Sequence, residues 1–438
     1  MSASTGFDPY AGLSWPTQVL FWVVLAITIS SLVSTVVLRT NVARLRRRAL
    51  PPGQESDYLW VFVVPALDEE VTIADSVQRL RQVRATHRLI LVIDDGSQDR
   101  TAQILAELGG PDLEVLTRRP PEARQGKAAA LNAAWRHLHS PVLDGPLGRE
   151  FDPARVLVVI VDADGRLSAD APIHAAAHFT DPLMAGVQCT VRIYNRRAWL
   201  AWAQDVEFSI FGALFQSGRT WWAAANMGGN GQVNRLAALD AAADGDERVE
   251  GPWRHRLTED QDIGVRLLQA GWHGAHDSSA YVEQQGLSNL RRLYRQRTRW
   301  AQGSWQAVRL LPGTPRAPLS LPARIDMAYY LLTPVLQMIT GLGLLVAILL
   351  AVVEQLPFWS AAWPVIVFFL TLSFGPALVS LTSRGRGLRG ALVGLVTVLP
   401  YTLYSWLIFP VLLRAVGRQL IGRSGWAKTP REAITPPT

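Results

Sequence analysis

An open α/β sheet joined to a set of membrane-crossing helices is the architecture this sequence predicts. Two kinds of observation carry it. Short runs rich in β-branched residues, at 60–65, 89–93 and 156–161, each lead into a turn bearing acidic residues. Such runs with helical patterns between them are the signature of a Rossmann-like sheet that binds ligands at its strand C-termini. Four uncharged stretches, at 19–38, 327–353, 361–381 and 391–413, are long enough for a hydrocarbon core roughly 30 Å thick. The chain has 438 residues, is 49% hydrophobic and has a mean hydropathy of +0.13, which is high for a soluble protein.

The elements follow in order. The stretch 19–38 is preceded by no Lys or Arg and followed by Arg39, Arg44, Arg46, Arg47 and Arg48, the reverse of a cleaved signal peptide. It is expected to be a signal anchor with its N-terminus outside and the following domain in the cytosol. Between the first two strands, Val77, Leu80 and Val83 recur at helical spacing. No G-x-G-x-x-G follows the first strand, so a dinucleotide site of that kind is not expected. The net charge of +7 is gathered in groups beside apolar runs, the later ones being Arg384, Arg386 and Arg389, then Arg414, Arg418 and Arg423. That pattern points to anionic lipid and cytosolic retention and away from nucleic acid. The lone Cys189 excludes an internal disulfide.

The last apolar stretch creates a conflict, because a simple crossing at 391–413 would leave a basic tail outside. Breaks at Pro400 and Pro410 would make the segment re-entrant or interfacial, and the tail cytosolic. The expected organisation is an anchor and basic flank at 1–50, a cytosolic catalytic domain at 51–310, transmembrane or re-entrant helices at 311–415 and a cytosolic basic tail at 416–438.

Polar motifs stand at the predicted strand ends and helix starts. Asp94-Asp95-Gly96-Ser97 can accept hydrogen bonds from a base or ribose, or can be an Asx turn capping a helix near Thr101. Asp162-Ala163-Asp164 offers two hard oxygen ligands for Mg²⁺ or Mn²⁺, or is a solvated loop. Lys127 opens a helical stretch, where the macrodipole favours an anion; a bound phosphate would explain it, as would simple solvation. Asp260, in Thr258-Glu259-Asp260, can be a general base that deprotonates an attacking hydroxyl, or Thr258 can be an N-cap with acids in the first turn. Gln296, Arg299 and Trp300 share one helical face suited to a sugar ring and a diphosphate, while Arg291, Arg292, Arg295 and Arg297 crowd the same stretch and suit a membrane surface. Gly228-Gly229-Asn230-Gly231 allows close approach of a ligand or is a plain turn.

In this order the motifs resemble the inverting, membrane-bound family 2 glycosyltransferases, the group of cellulose, chitin, hyaluronan and poly-N-acetylglucosamine synthases, over roughly residues 60–305. The resemblance implies a type A nucleotide-sugar-binding domain, a donor that is usually UDP-linked, a divalent metal and single displacement with inversion. It assigns Asp68, Asp94, Asp95, Lys127 and Asp162 to the donor, Asp162 and Asp164 to the metal, and Asp260 to the base. Gln296, Arg299 and Trp300, with Glu259, fall to the acceptor end and diphosphate. Pro65-Ala66-Leu67-Asp68-Glu69 resembles the family's opening P-x-Y-N-E, departing from it at Leu67 and Asp68. Trp426, Lys428, Thr429 and Arg431 resemble a gating segment of polymerising members. The leading expectation is a processive synthase in the cell membrane extending, and passing across the bilayer, a β-linked polysaccharide. The alternative is transfer of one sugar to a lipid such as diacylglycerol, and a non-catalytic scaffold would make every acidic motif an accident.

Overall fold

The computed structural model describes residues 14–243, 251–353, 374–375, 377–381 and 387–422. The gating candidates Trp426, Lys428, Thr429 and Arg431, and most of the apolar stretch 361–381, lie outside the described residues.

Eight strands form one mixed sheet in the order β3-β2-β1-β4-β7-β6-β8-β5. The strands are β1 (Leu59–Ala66), β2 (His87–Asp94), β3 (Leu113–Thr117), β4 (Val156–Ile160), β5 (Arg166–Leu167), β6 (Met184–Ile193), β7 (Gln232–Arg235) and β8 (His273–Gln284). The first half is parallel: Ala66 is paired with Asp94 and Val63 with Ile160, so β1, β2 and β4 finish at one edge. β7 then runs antiparallel to β4 with Gln232 opposite Ile160. This reversal brings the turn that enters β7, Gly228 to Gly231, to the edge at which the parallel strands deliver their acidic turns.

Helices of the domain are α2 (Ile73–Arg81), α3 (Thr101–Leu108), α4 (Lys127–His137), α5 (Ala171–Phe179), α6 (Trp199–Ile210), α7 (Ser217–Thr220), α8 (Leu236–Ala243), α9 (Glu259–Gln269) and α10 (Leu290–Ala307); α1 (Trp15–Leu45) precedes them. Alternate residues of β1 feed two cores, as the period of two requires. Trp60, Phe62 and Val64 pack with Ile73, Val77 and Leu80 of α2. Leu59, Val61 and Val63 face the other way, onto Ala130 and Leu131 of α4 and Ile263 and Leu267 of α9. Since α4 and α9 cover the same face, their N-termini can meet beside β4.

Among the described residues, three helices or helix pairs are long and apolar enough to cross a membrane: α1, α11 (Leu321–Val353), and the pair α12 (Gly387–Ser405) and α13 (Ile408–Leu420). Their outer faces expose Trp22, Val33, Leu342, Leu349, Leu395 and Val396, as lipid contact demands. Polar contacts bind them to the sheet domain. Asn41 of α1 donates to the Gly218 carbonyl at 3.3 Å, and Asp326 of α11 accepts from buried Arg219 at 2.6 Å. The expected break at Pro400 and Pro410 is corrected: α12 continues through Pro400, and the interruption falls at Trp406 and Leu407. Beyond it, α13 is amphipathic and lies along α10, with Val411, Leu412 and Ala415 packed on Ala301.

Asp326→Ala would leave Arg219 buried without a counter-charge, and a loss of about 3 kcal/mol is expected, read as a lower melting temperature in detergent. A melting temperature equal to the parent's would remove this pair from the account of how α11 is docked.

Candidate active site at the carboxyl edge of the sheet

Asp94 ends β2 and is buried; its Oδ1 accepts the Ser97 N–H at 2.9 Å, closing an Asx turn in which Gly96 has φ +77°. It does not cap the next helix. The N-cap residue Arg100 makes no side-chain cap bond, and Asp99, one residue earlier, accepts the N–H of the first helical residue, Thr101, at 2.9 Å. Asp95 is paired with Arg118, also buried, which directly follows β3 as Asp95 directly follows β2. Burial raises the Asp95 carboxyl from its ordinary range, and the Arg118 guanidinium offsets only part of that. Asp68 stands at φ +53°, accepts the Gln98 N–H at 2.7 Å and holds Arg124 Nη2 at 3.0 and 3.1 Å. Arg118 and Arg124 escaped the sequence reading, although Arg118 sits directly after a strand and carried the same positional signal as the acids.

The centre of the site is Lys127. Gly126, at φ +102°, turns the chain into α4, and the lysine is the helix's first residue. Its Nζ donates to Asp162 Oδ1 at 2.6 Å and stands 3.8 Å from Glu259 Oε1. Burial works against the ammonium, but the Asp162 and Glu259 carboxylates more than offset it, and the amine is held above its ordinary range. The simple solvated lysine is thereby excluded: two carboxylates supply the negative charge that a lysine at a helix start lacks.

Around it, the Asp162 N–H donates to Asn230 Oδ1 at 3.1 Å, and Asn230 Nδ2 donates to Gln284 at 3.0 Å. Asp164 is buried and its Oδ2 accepts the Gln285 N–H at 3.2 Å. Gly229, at φ +82°, lies against the candidate base: a Cβ there would stand 2.9 Å from Asp260 Oδ2 and 3.7 Å from Lys127 Nζ. The glycine-rich turn is therefore a wall of the site. Thr258 precedes α9 without capping it; its hydroxyl goes to Gln261 Oε1 at 3.3 Å, and Asp260 Oδ1 accepts the Gln261 N–H at 2.9 Å. Burial pushes Glu259 up to about 7, with Lys127 pulling it down and Asp260 pushing it up. Burial also raises Asp260, against the pull of Lys127 and Arg299.

α10 carries the remaining motif past the start of α9. A Cβ at Gly303 would stand 2.4 Å from Thr258 Oγ1, and Arg299 Nη1 donates to the Leu257 carbonyl at 3.3 Å. Gln296 is buried on the same helix. Trp300 meets the edge of Phe208 at 6.0 Å and carries the Arg297 guanidinium over its ring at 4.1 Å. Arg297 is thus no lipid contact. It is 7% exposed and donates to Glu207 Oε2 at 2.7 Å, which also accepts from the Tyr404 hydroxyl at 2.7 Å. Arg291 and Arg295 do face outward, as expected of a membrane-surface helix. Arg414 and Arg418 turn to the domain, the first stacking on Tyr294 at 5.0 Å and the second donating to Gln302 at 3.2 Å.

A sheet edge carrying buried acids, a D-x-D after a central strand and a carboxylate with a raised pKa at a helix start are the parts of a nucleotide-sugar transferase. The chain belongs to the family 2 glycosyltransferases: the family description "Glycosyl transferase family group 2" matches residues 157–412 and "Glycosyl transferase family 2" matches residues 61–239. Among similar curated proteins is the β-monoglucosyldiacylglycerol synthase of Trichormus variabilis, 30% identical over 255 residues, 56% of this chain and 48% of that one. The poly-β-1,6-N-acetyl-D-glucosamine synthase of Staphylococcus aureus is 25% identical over 250 residues, 56% and 55% of the two chains. The chain thus spans about half the length of the curated relatives it matches. A mannosyltransferase from Pyrobaculum calidifontis, solved with GDP-Man and Mn²⁺, shares the fold with a TM-score of 0.60 at 19% identity, covering 92% of this chain and 99% of its own.

If Asp260 acts as the base, the raised Glu259 and Asp260 pair should place the acid limb of kcat/KM well above the ordinary carboxylate range, with activity gained as pH rises towards 7 and the last proton leaves. A pH profile still flat down to about pH 5 would show that neither group controls the reaction.

Proposed function

We propose that this protein transfers one hexosyl unit, with inversion, from a nucleoside diphosphate sugar of the UDP-linked kind to a hydroxyl of a membrane lipid, on the cytosolic side of the cell membrane. The observation that supports the lipid acceptor is an open, shallow surface depression lined by Asn289, Leu290, Arg291, Tyr294 and Leu407. It opens where α10 meets the end of the apolar helix α12, with Leu290 exposed. Tyr294 and Arg299 are five residues apart on α10, so the depression lies roughly 8 Å along the helix axis from the residue that pairs with the start of α9. The kinship with β-monoglucosyldiacylglycerol synthases supports the same acceptor class.

In the proposed step, Asp260 takes the proton of the acceptor hydroxyl as its oxygen bonds to the anomeric carbon, and the diphosphate departs with the electrons of the broken C–O bond. Asp94, Asp95 and Asp68 hold the nucleoside, Lys127 and Arg299 meet the diphosphate, Trp300 and Gln296 line the acceptor end, and Glu259 tunes Asp260. Asp162 and Asp164 are hard donors that fit Mg²⁺ or Mn²⁺, and among the described residues no group of three or more His, Cys, Asp or Glu is placed to hold a metal ion, so diphosphate and water would complete the shell. Such an ion, when bound, neutralises charge on the leaving diphosphate.

A second reading, processive synthesis and translocation of a β-linked polysaccharide, is favoured by α13. Arg418 and Gln419 bond to Gln302 at 3.2 and 3.3 Å, so α13 is held against α10, and in this reading Trp426, Lys428, Thr429 and Arg431, which lie outside the described residues, gate the donor. That kinship extends to poly-β-1,6-N-acetyl-D-glucosamine synthases.

Incubation of the purified protein with radiolabelled nucleotide sugars and bilayer lipid should yield a chloroform-soluble product; a long water-soluble polymer would put the second reading first. Asp260→Asn should abolish transfer while calorimetric donor binding stays within about twofold, and normal turnover in that variant would discard the base. Asp164→Ala should remove metal stimulation together with activity.

A further inference from the structure

Asn226 and the residues after it form a strap along the first turns of α9. A Cβ at Gly264 would stand 1.9 Å from Asn226 Oδ1, so the carboxamide occupies the place of a side chain there. Three residues on, Gly229 lies against Asp260 Oδ2. Asp260 and Gly264 are i and i+4 on α9, one face, and the strap crosses that face in the direction opposite to the helix.

Beyond Gly229 the strap is held by Gln188 Nε2, which donates to the Asn230 carbonyl at 2.7 Å, and by the Gly231 N–H, which donates to the Ile160 carbonyl at 2.8 Å. Three hydrogen bonds fix its near end, before Gly229. Gln216 Oε1 accepts the Asn226 N–H at 2.8 Å, Gln188 Oε1 accepts the Gly228 N–H at 2.8 Å, and Asn226 Nδ2 donates to the Tyr330 hydroxyl at 3.2 Å. The first two partners belong to the sheet domain. Tyr330 belongs to α11, and it is itself immobilised: the Arg219 guanidinium lies 4.7 Å over its ring and bonds to Asp326, one helical turn before Tyr330. Asn226 is 2% exposed, so a lost partner cannot be replaced by bulk water without movement of the strap.

We propose that Tyr330 is a positioning residue of the transfer step: through Asn226 it sets the height of Gly228 and Gly229 over the Asp260 carboxylate and so aims the base. This rests on the reading of Asp260 as that base. A catalytic group displaced by a fraction of an ångström loses rate without losing substrate affinity, and the effect should therefore fall on kcat.

Tyr330→Phe removes only the hydroxyl. With whichever nucleotide sugar turns over, kcat should fall about tenfold while the donor KM stays within about twofold. Amide hydrogen exchange in residues 226–231 should quicken while α9 keeps its protection. Asn226→Ala should reproduce the loss, and the double variant should be no worse than the worse single one. An unchanged kcat in Tyr330→Phe overturns the proposal, as do additive losses in the double variant or a fall in melting temperature with no change in strap exchange. The two ideas separate cleanly: an active Asp260→Asn variant sinks the base, whereas an inactive one beside a fully active Tyr330→Phe sinks this inference alone.

Discussion

The ammonium of Lys127 is the point on which the rest of the site depends. Asp162 arrives from the end of β4 and Glu259 and Asp260 from the start of α9, and burial penalises charge at the last two. Lys127 is the cation between them, at 2.6 Å from one and 3.8 Å from another. A cluster of carboxylates this close would otherwise shed charge by taking up protons. With the lysine present, the cluster keeps part of its charge, and burial leaves Glu259 raised to about 7 and Asp260 raised from its ordinary range.

That meeting depends on sheet topology. Parallel β1, β2 and β4 deliver their turns to one edge, and antiparallel β7 returns the glycine-rich turn to the same place. α4 and α9 cover one face of the sheet through Ala130, Leu131, Ile263 and Leu267, which brings a lysine and an acid at two helix starts together. The macrodipole of α4 disfavours its own lysine, and the neighbouring carboxylates supply the compensation.

Apolar helices and catalytic domain are joined by buried polar groups more than by area alone. Arg219 meets Asp326, Arg297 meets Glu207 and Tyr404, and Gln302 meets Arg418 and Gln419. Charges in such places are costly unless paired, and each pair therefore specifies where a helix may dock. α10 is the common element: its outward arginines suit a bilayer surface, its middle carries Arg299 and Trp300, and its far half holds α13.

Much of this was legible in the residues themselves. Short apolar runs rich in β-branched residues gave away β1, β2 and β4, the acids at their ends marked the edge, and uncharged stretches marked α1 and α11, because strand composition and hydrophobic length are local properties. Other assignments needed the third dimension. Whether Lys127 was solvated or paired turned on α9 lying beside α4, and Asp99 rather than Asp94 accepts the first N–H of α3 because Asp94 is turned to the Ser97 N–H. Arg297 looked like its outward neighbours but was drawn inward by Glu207, and the last apolar stretch broke at Trp406 and Leu407, with Pro400 inside a helix, where α13 turns onto α10. The sequence by itself determined which residues would stand at the edge of the sheet and which segments were apolar enough to cross a membrane. Only the tertiary structure decided which charge faces which, because an ion pair or a helix dock depends on partners distant in the chain.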